Sequence, residues 1–199
     1  NQGYHYRTGL VTAYPDIYVA NAPLGSDSNN GTNAATPFKT VTRALATASD
    51  GTRIHVAAGT YSTNASETFP LTLSGKAGVQ ILGTNAAMTI FDAAGSGARV
   101  MHLINGADST RIEGVTLMRG LVNEGAGVAH EGAGLRIETS RGVVLSDCVV
   151  MSNTINAITH AASAYGGGIW AASDTSLTVS NCVLRNNSGA NASWTAQGG

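Results

Sequence analysis

Arg136 and Glu138 stand two residues apart in the segment GAGLRIETS, with His130 and Glu131 just upstream, Glu124 a little earlier and His102 further back. A guanidinium, a carboxylate and an imidazole converging on one groove would supply a positive charge, a proton acceptor and a proton donor, the minimum for acid–base work. Arg136, Glu138 and His130 are therefore the catalytic candidates. The plainer reading is that they are ordinary outward polar residues, and the repeats described below favour it. Where this copy has Arg136 the next has Trp170, and where it has Glu138 the next has Ala172, so no acidic series continues.

Other residue types suggest binding. Trp170 takes the outward position of Arg136, which suits stacking on a sugar and suits a packed loop equally well; Tyr165 and Trp194, in inserted segments, fit either role. Asp27-Ser28-Asn29-Asn30-Gly31 gathers oxygen donors, with Asp27 and Asn29 the candidate Ca²⁺ ligands. Such runs are more often plain turns, and this one lacks the terminal Glu of a full calcium loop. Calcium is the one cofactor the sequence raises. Asn30, Asn64, Asn186 and Asn191 lie in N-x-S/T sequons, which matter only if the source glycosylates secreted proteins. Cys148 and Cys182 belong to no CxxC and no metal-spaced cluster. Placed on adjacent coils about 4.8 Å apart they would be within disulfide range, but side-by-side parallel strands seldom offer the torsion, so buried free thiols are expected.

Composition narrows the class. Charged residues are 12% of the chain, about half the usual quarter, the net charge is −1, and there are 25 glycines in 199 residues. The hydrophobic share of 43% is too high, and the charge too small, for disorder. With two lysines, Lys39 and Lys76, and dispersed arginines there is no cationic run for phosphate, so nucleic acid is not an expected partner. No apolar stretch approaches a membrane span. The chain opens at Asn1 without a visible signal peptide, which suggests a processed chain or a segment of a longer one.

The elements that must position these residues emerge from self-similarity. Residues 132–153 (GAGLRIETSRGVVLSDCVVMSN) align without a gap on 166–187 (GGGIWAASDTSLTVSNCVLRNN) at an offset of 34, and residues 112–120 align on the first copy at 33. A shorter echo lies within residues 78–94. Val143/Leu145 and Leu177/Val179 alternate as in a strand, and the parity then breaks at Gly114, Asp147 and Asn181, residue types that tolerate left-handed backbone. Asn153 and Asn187 are expected to close the second strand in the same way. Three short strands per turn, joined by bends, predict an all-β, right-handed parallel β-helix (solenoid); an antiparallel β-sandwich is the runner-up. Stacked turns give inward columns Ile112–Leu145–Val179, Val115–Cys148–Cys182 and Leu117–Val150–Leu184, with an amide pair Asn153–Asn187 at a corner. Coils differ mainly through insertions at 121–131, 154–165 and 188–197, at one corner and therefore on one face. The chain stops where another Gly-rich strand is due, which predicts an incomplete last coil. Further repeats, or another molecule, would cover it.

Upstream, Phe38, Val41 and Leu45 fall at helical spacing and predict a short helix capping the solenoid. The domain reading is 1–15 as an extension or the end of a preceding domain, then 16–199 as one β-helix domain.

The stretch YVANAPLGSDSNNGT…TPFKTVTRALATASDGTRIHVAAGTY resembles the N-terminal segment of many pectin-lyase-like right-handed β-helix proteins. GGGIW…LRNN resembles repeats of bacterial polymorphic outer-membrane proteins, and Gly3-Tyr4-His5-Tyr6 resembles a motif that closes β-helix domains in large bacterial surface proteins. The resemblance implies the fold and an extracellular or cell-surface setting. It leaves the activity open, because that superfamily holds polysaccharide lyases, hydrolases, epimerases and non-enzymatic adhesins. Its lyases often hold Ca²⁺ on clustered carboxylates and use Lys or Arg as base, and here the acids are scattered. The expectation is a structural or adhesive module whose partners are copies of itself, or neighbouring β-helix domains, stacked end to end into a filament. Polysaccharide is the possible ligand, and a lyase-like enzyme or a carbohydrate-binding module is the alternative.

Overall fold

A computed structural model of the chain describes residues 15–123, 130–157 and 164–191. The chain is a parallel β-solenoid of about five turns with a single helix. Strand β1 (Asp16–Val19) opens it, and helix α1 (Val41–Thr47) follows. The first turn holds β2 (Arg53–Val56), β3 (Gly59–Ser62) and β4 (Leu71–Ser74), and the second β5 (Gln80–Gly83), β6 (Thr89–Asp92) and β7 (Met101–Ile104). The third has five strands: β8 (Arg111–Glu113), β9 (Thr116–Met118), β10 (Leu121–Val122), β11 (His130–Glu131) and β12 (Leu135–Ile137). The fourth repeats that pattern with β13 (Val143–Ser146), β14 (Val149–Met151), β15 (Thr154–Ala157), β16 (Ala164–Tyr165) and β17 (Ile169–Ala171). The fifth is described as far as β18 (Leu177–Ser180), β19 (Val183–Arg185) and β20 (Ser188–Asn191).

Corresponding strands pair in parallel into a first sheet (β1-β2-β5-β8-β13-β18), a second (β3-β6-β9-β14-β19) and a third (β4-β7-β12-β17). The register follows the sequence repeat: Leu145 pairs with Ile112 below and Val179 above, and Val150 with Leu117 and Leu184. The first column continues down through Ile81, Ile54 and Ile17, and the second through Phe91 and Tyr61. The spacing between paired residues grows from 27 (Ile54 to Ile81) to 34 (Leu145 to Val179). Part of the added chain is not loop: it forms the two small ladders β10-β15-β20 and β11-β16 at the corner between the second and third sheets.

The bends have the backbone that their residue types suit. Gly114, Asp147 and Asn181 adopt φ of 65°, 54° and 50°. The next corner differs from expectation. Its left-handed residues are Arg119, Ser152 and Asn186, each one place before the expected position. Asn153 thereby turns its amide inward. Its Oδ1 accepts from Gly120 N–H (2.9 Å), and its Nδ2 donates to Leu117 O (3.2 Å) and Asn187 Oδ1 (2.9 Å). Asn187 repeats this one turn up, accepting from Asn153 N–H (3.2 Å) and donating to Val150 O (2.9 Å). The side chains thus satisfy corner backbone groups that would otherwise be buried without partners. Cys148 and Cys182 are free thiols in adjacent turns, with Cys148 N–H directed at Cys182 Sγ (3.4 Å). Burial pushes the Cys148 thiol up to about 12, so it packs as a small apolar group.

Helix α1 closes one end. Val41, Ala44 and Leu45 are buried on the core, while Phe38, which the spacing assigned to the helix, precedes it and bridges to Val19. Thr40 caps the first turn by accepting from Arg43 N–H (3.1 Å). Two carboxylates hold the helix entry. Asp27 accepts from Lys39 N–H and Thr40 N–H (both 2.9 Å) and from Thr40 Oγ1 (2.8 Å). Glu67 accepts from Val41 N–H (2.5 Å), Thr42 N–H (3.1 Å) and Thr42 Oγ1 (2.8 Å). Burial pushes the Glu67 carboxyl up, and these hydrogen bonds partly restore it. Lys76 Nζ donates to Leu45 O (2.6 Å) and Ala46 O (3.1 Å) at the other end of the helix.

Asp27 is therefore committed to the helix, and Asn29 Nδ2 donates to Pro37 O (2.7 Å). These side chains brace a turn, which leaves the Ca²⁺ reading of this run without support. Asp27→Ala is expected to cost about 1–2 kcal/mol in thermal unfolding. Calcium is expected to leave the wild-type melting temperature unchanged, and a clear rise would restore the metal reading.

Candidate functional site: the outward face of the third sheet

Side chains alternate in and out along a strand, so parallel register stacks outward residues into columns. On the third sheet one column runs Thr72, His102, Arg136, Trp170. Glu138 follows β12, and Glu131 comes from β11 at the inserted corner. Arg136 is shared by Glu131 (2.7 Å) and Glu138 (3.0 Å), and Glu138 also meets His102 Nε2 (2.6 Å). The Arg136 guanidinium lies 5.3 Å from the centre of the Trp170 ring. Side-chain exposures of 14% for His102, 22% for Arg136, 24% for Glu138 and 11% for Glu131 place the network at a recessed surface. Burial holds the His102 imidazole below its usual range, although Glu138 opposes this. His102 is thus mainly neutral at neutral pH, with a carboxylate beside it.

Of the predicted catalytic candidates, Arg136 and Glu138 are brought together. His130 is fully buried in β11, beside Ala164 of β16. Tyr165 pairs with Glu131 and is half-buried near the network, and Trp170 joins it from above. Glu124 and Trp194, like residues 1–14, lie outside the described residues. Asn30, Asn64 and Asn186 are exposed. Among the described residues no group of three or more His, Cys, Asp or Glu side chains is arranged to hold a metal ion, and no helix is long and apolar enough to cross a membrane.

One site escaped the sequence reading. On the outward side of the first sheet Tyr18 stacks on His55, with ring centres 4.9 Å apart, and Asp16 pairs with both His55 and Arg53 (each 2.7 Å). Beside them lies a cavity of about 370 Å³ lined by residues that include Tyr18, Leu24, Pro37, His55, Leu82 and Thr84. Its signal was the register of DIYV on RIHV, which juxtaposes Asp16 with Arg53 and Tyr18 with His55. The repeats were legible only downstream, where the coils have similar length.

Among curated proteins, no relative matches the chain. Residues 24–196 match the family described as "Protein of unknown function (DUF1565)". Because that match spans most of the sequence, the chain belongs to the DUF1565 family.

Proposed function

We propose that this protein is an extracellular or cell-surface β-helix module of the pectin-lyase-like kind, with a structural and adhesive role, and that the third sheet is its adhesive face. The closed ion-pair network supports this reading. Arg136 is neutralised by two carboxylates, and Glu138 is shared between Arg136 and His102. Such a surface holds its charges in fixed pairs with one carboxylate in excess, and the Trp170 ring lies beside it. It suits a sugar ring, whose C–H face stacks on an aromatic and whose hydroxyls take hydrogen bonds from fixed charges. End-to-end assembly, expected from the sequence, meets an obstacle: α1 stands over one end of the core, and β1 is already bonded along its outer edge (Tyr18 N–H to Gly31 O, Phe38 N–H to Tyr18 O, both 2.8 Å).

A screen of neutral and acidic oligosaccharides by titration calorimetry tests the reading. Binding is expected to fall about tenfold in Trp170→Ala and further in Arg136→Ala, which leaves Glu131 and Glu138 facing each other. Binding that is unchanged in both variants would move the ligand elsewhere.

A lyase-like enzyme is the second reading. The His102–Glu138 pair favours it, since a neutral imidazole beside a carboxylate is a competent general base.

A further inference from the structure

The cavity on the outward side of the first sheet plays no part in the third-sheet site. Its floor is the column Tyr18–His55–Leu82, one residue from each of three neighbouring strands. Its wall is the loop that follows β1, which contributes Leu24, Ala34 and Pro37. Hydrogen bonds within the loop hold that wall in place. Gly25 N–H donates to Asn21 O (3.1 Å), Ser26 N–H to Pro37 O (3.1 Å) and Asn29 Nδ2 to the same Pro37 oxygen (2.7 Å). Gly25 lets the loop fold back, since a Cβ there would stand 1.6 Å from Ala20 O. The space of about 370 Å³ is at the lower end of the range for small-molecule sites. Leu24, 55% exposed, offers it a large apolar side chain that the core does not use.

The polar side chains in this apolar lining are Tyr18, His55 and Thr84, and Asp16 decides what His55 can take. The two Asp16 oxygens are spent on Arg53 and on His55 Nε2 (each 2.7 Å). The hydrogen bond from His55, and then that from Arg53, holds the Asp16 carboxyl below its usual range. An ionised carboxylate only accepts, so His55 Nε2 carries the proton, and in the neutral ring Nδ1 is left as an acceptor. Among the described residues Nδ1 has no hydrogen-bond partner. The lining offers no unpaired charge to hold an ionic ligand. It is also too apolar for a sugar, whose hydroxyls would be buried without partners. We infer that the cavity is a binding site for a small neutral phenolic molecule, whose ring lies against Leu24, Pro37 and Leu82 and whose hydroxyl donates to His55. A fixed wall and a fixed imidazole tautomer mean that little has to be ordered when such a molecule binds.

Titration of the full chain with methyl 4-hydroxybenzoate near neutral pH, followed by amide chemical-shift mapping, tests this. Saturable binding with a dissociation constant on the order of 1 mM is expected for a probe of this size, with shifts at Ala57, Gly83 and Thr84. Methyl 4-methoxybenzoate, which has no hydroxyl to donate, and the 4-hydroxybenzoate anion are each expected to bind about tenfold more weakly. His55→Phe keeps a ring against Tyr18 but removes the acceptor, and is expected to bring the phenol down to the level of its methyl ether. Ala34→Phe and Ala57→Phe, both at exposed positions in the lining, fill the cavity and are expected to weaken binding at least tenfold with an unchanged circular dichroism spectrum. A wild type that shows no saturable shifts overturns the inference. Equal affinity for the phenol and its ether, or methyl glucoside binding as tightly as the phenol, overturns the ligand class. Binding that survives both filling substitutions places the probe elsewhere and overturns the site.

Discussion

Replacing Asn153 by Ala is expected to cost about 3–5 kcal/mol of stability, a large part of what a domain of this size possesses. The side chain is fully buried and serves three partners: Gly120 N–H, Leu117 O and Asn187 Oδ1. Truncation leaves the Gly120 donor and the Leu117 acceptor without water, and each unsatisfied buried group costs about 1–3 kcal/mol. Asn153→Asp gives a sharper control. It keeps an acceptor for Gly120 N–H but removes the donor and sets a negative charge against Leu117 O. At neutral pH it is expected to be no better than Ala, and to recover partly in acid, when the protonated carboxyl can donate again. Urea unfolding reads both. A loss below about 1 kcal/mol for Asn153→Ala would mean that the corner is held by its backbone alone.

Phe91→Ala is the second large effect, about 3–5 kcal/mol. Phe91 is fully buried and pairs between Tyr61 and Leu117, with its ring edge-on to Tyr61 at 5.9 Å. A solenoid turn has no room to collapse around such a void, because its strands are pinned by ladders above and below. The contrast is Leu184 in the same column, 47% exposed in the last described turn. Leu184→Ala is expected to cost under about 1 kcal/mol, because little apolar area is removed from water there to begin with. Equal losses for the two substitutions would show that the outermost turn is as well packed as the interior.

The fold was legible because a solenoid writes its register into the sequence. The offset of 34 between the two best copies reappears as the pairing of Leu145 with Val179. Earlier turns were harder to see because they lack the corner insertion, which shortens the period to 27 and removes the alignment. The corner was misplaced by one residue for a physical reason. Asn153 suits a left-handed bend and suits inward hydrogen bonding, and only the fold decides that Ser152 takes the bend. The site was half legible. Arg136 and Trp170 follow from the repeat, and His102 lies 34 residues before Arg136, the same offset, so its place in the column was within reach of the spacing; its hydrogen bond to Glu138 depends on side-chain direction, which spacing does not give. The Tyr18–His55 pair was hidden because helix α1 and the segment before it lie between the two strands and stretch their spacing to 37 residues, which matches no other turn.

The account holds that the third-sheet face binds rather than transforms its ligand, because Arg136, Glu138 and His102 are already spent on one another. The most direct test is to incubate the chain with each oligosaccharide that binds it, with and without calcium, and to weigh the glycans by mass spectrometry over several hours. Every glycan is predicted to be recovered intact. Shortened products with a new unsaturated sugar end, lost in His102→Ala, would contradict the account and establish a lyase.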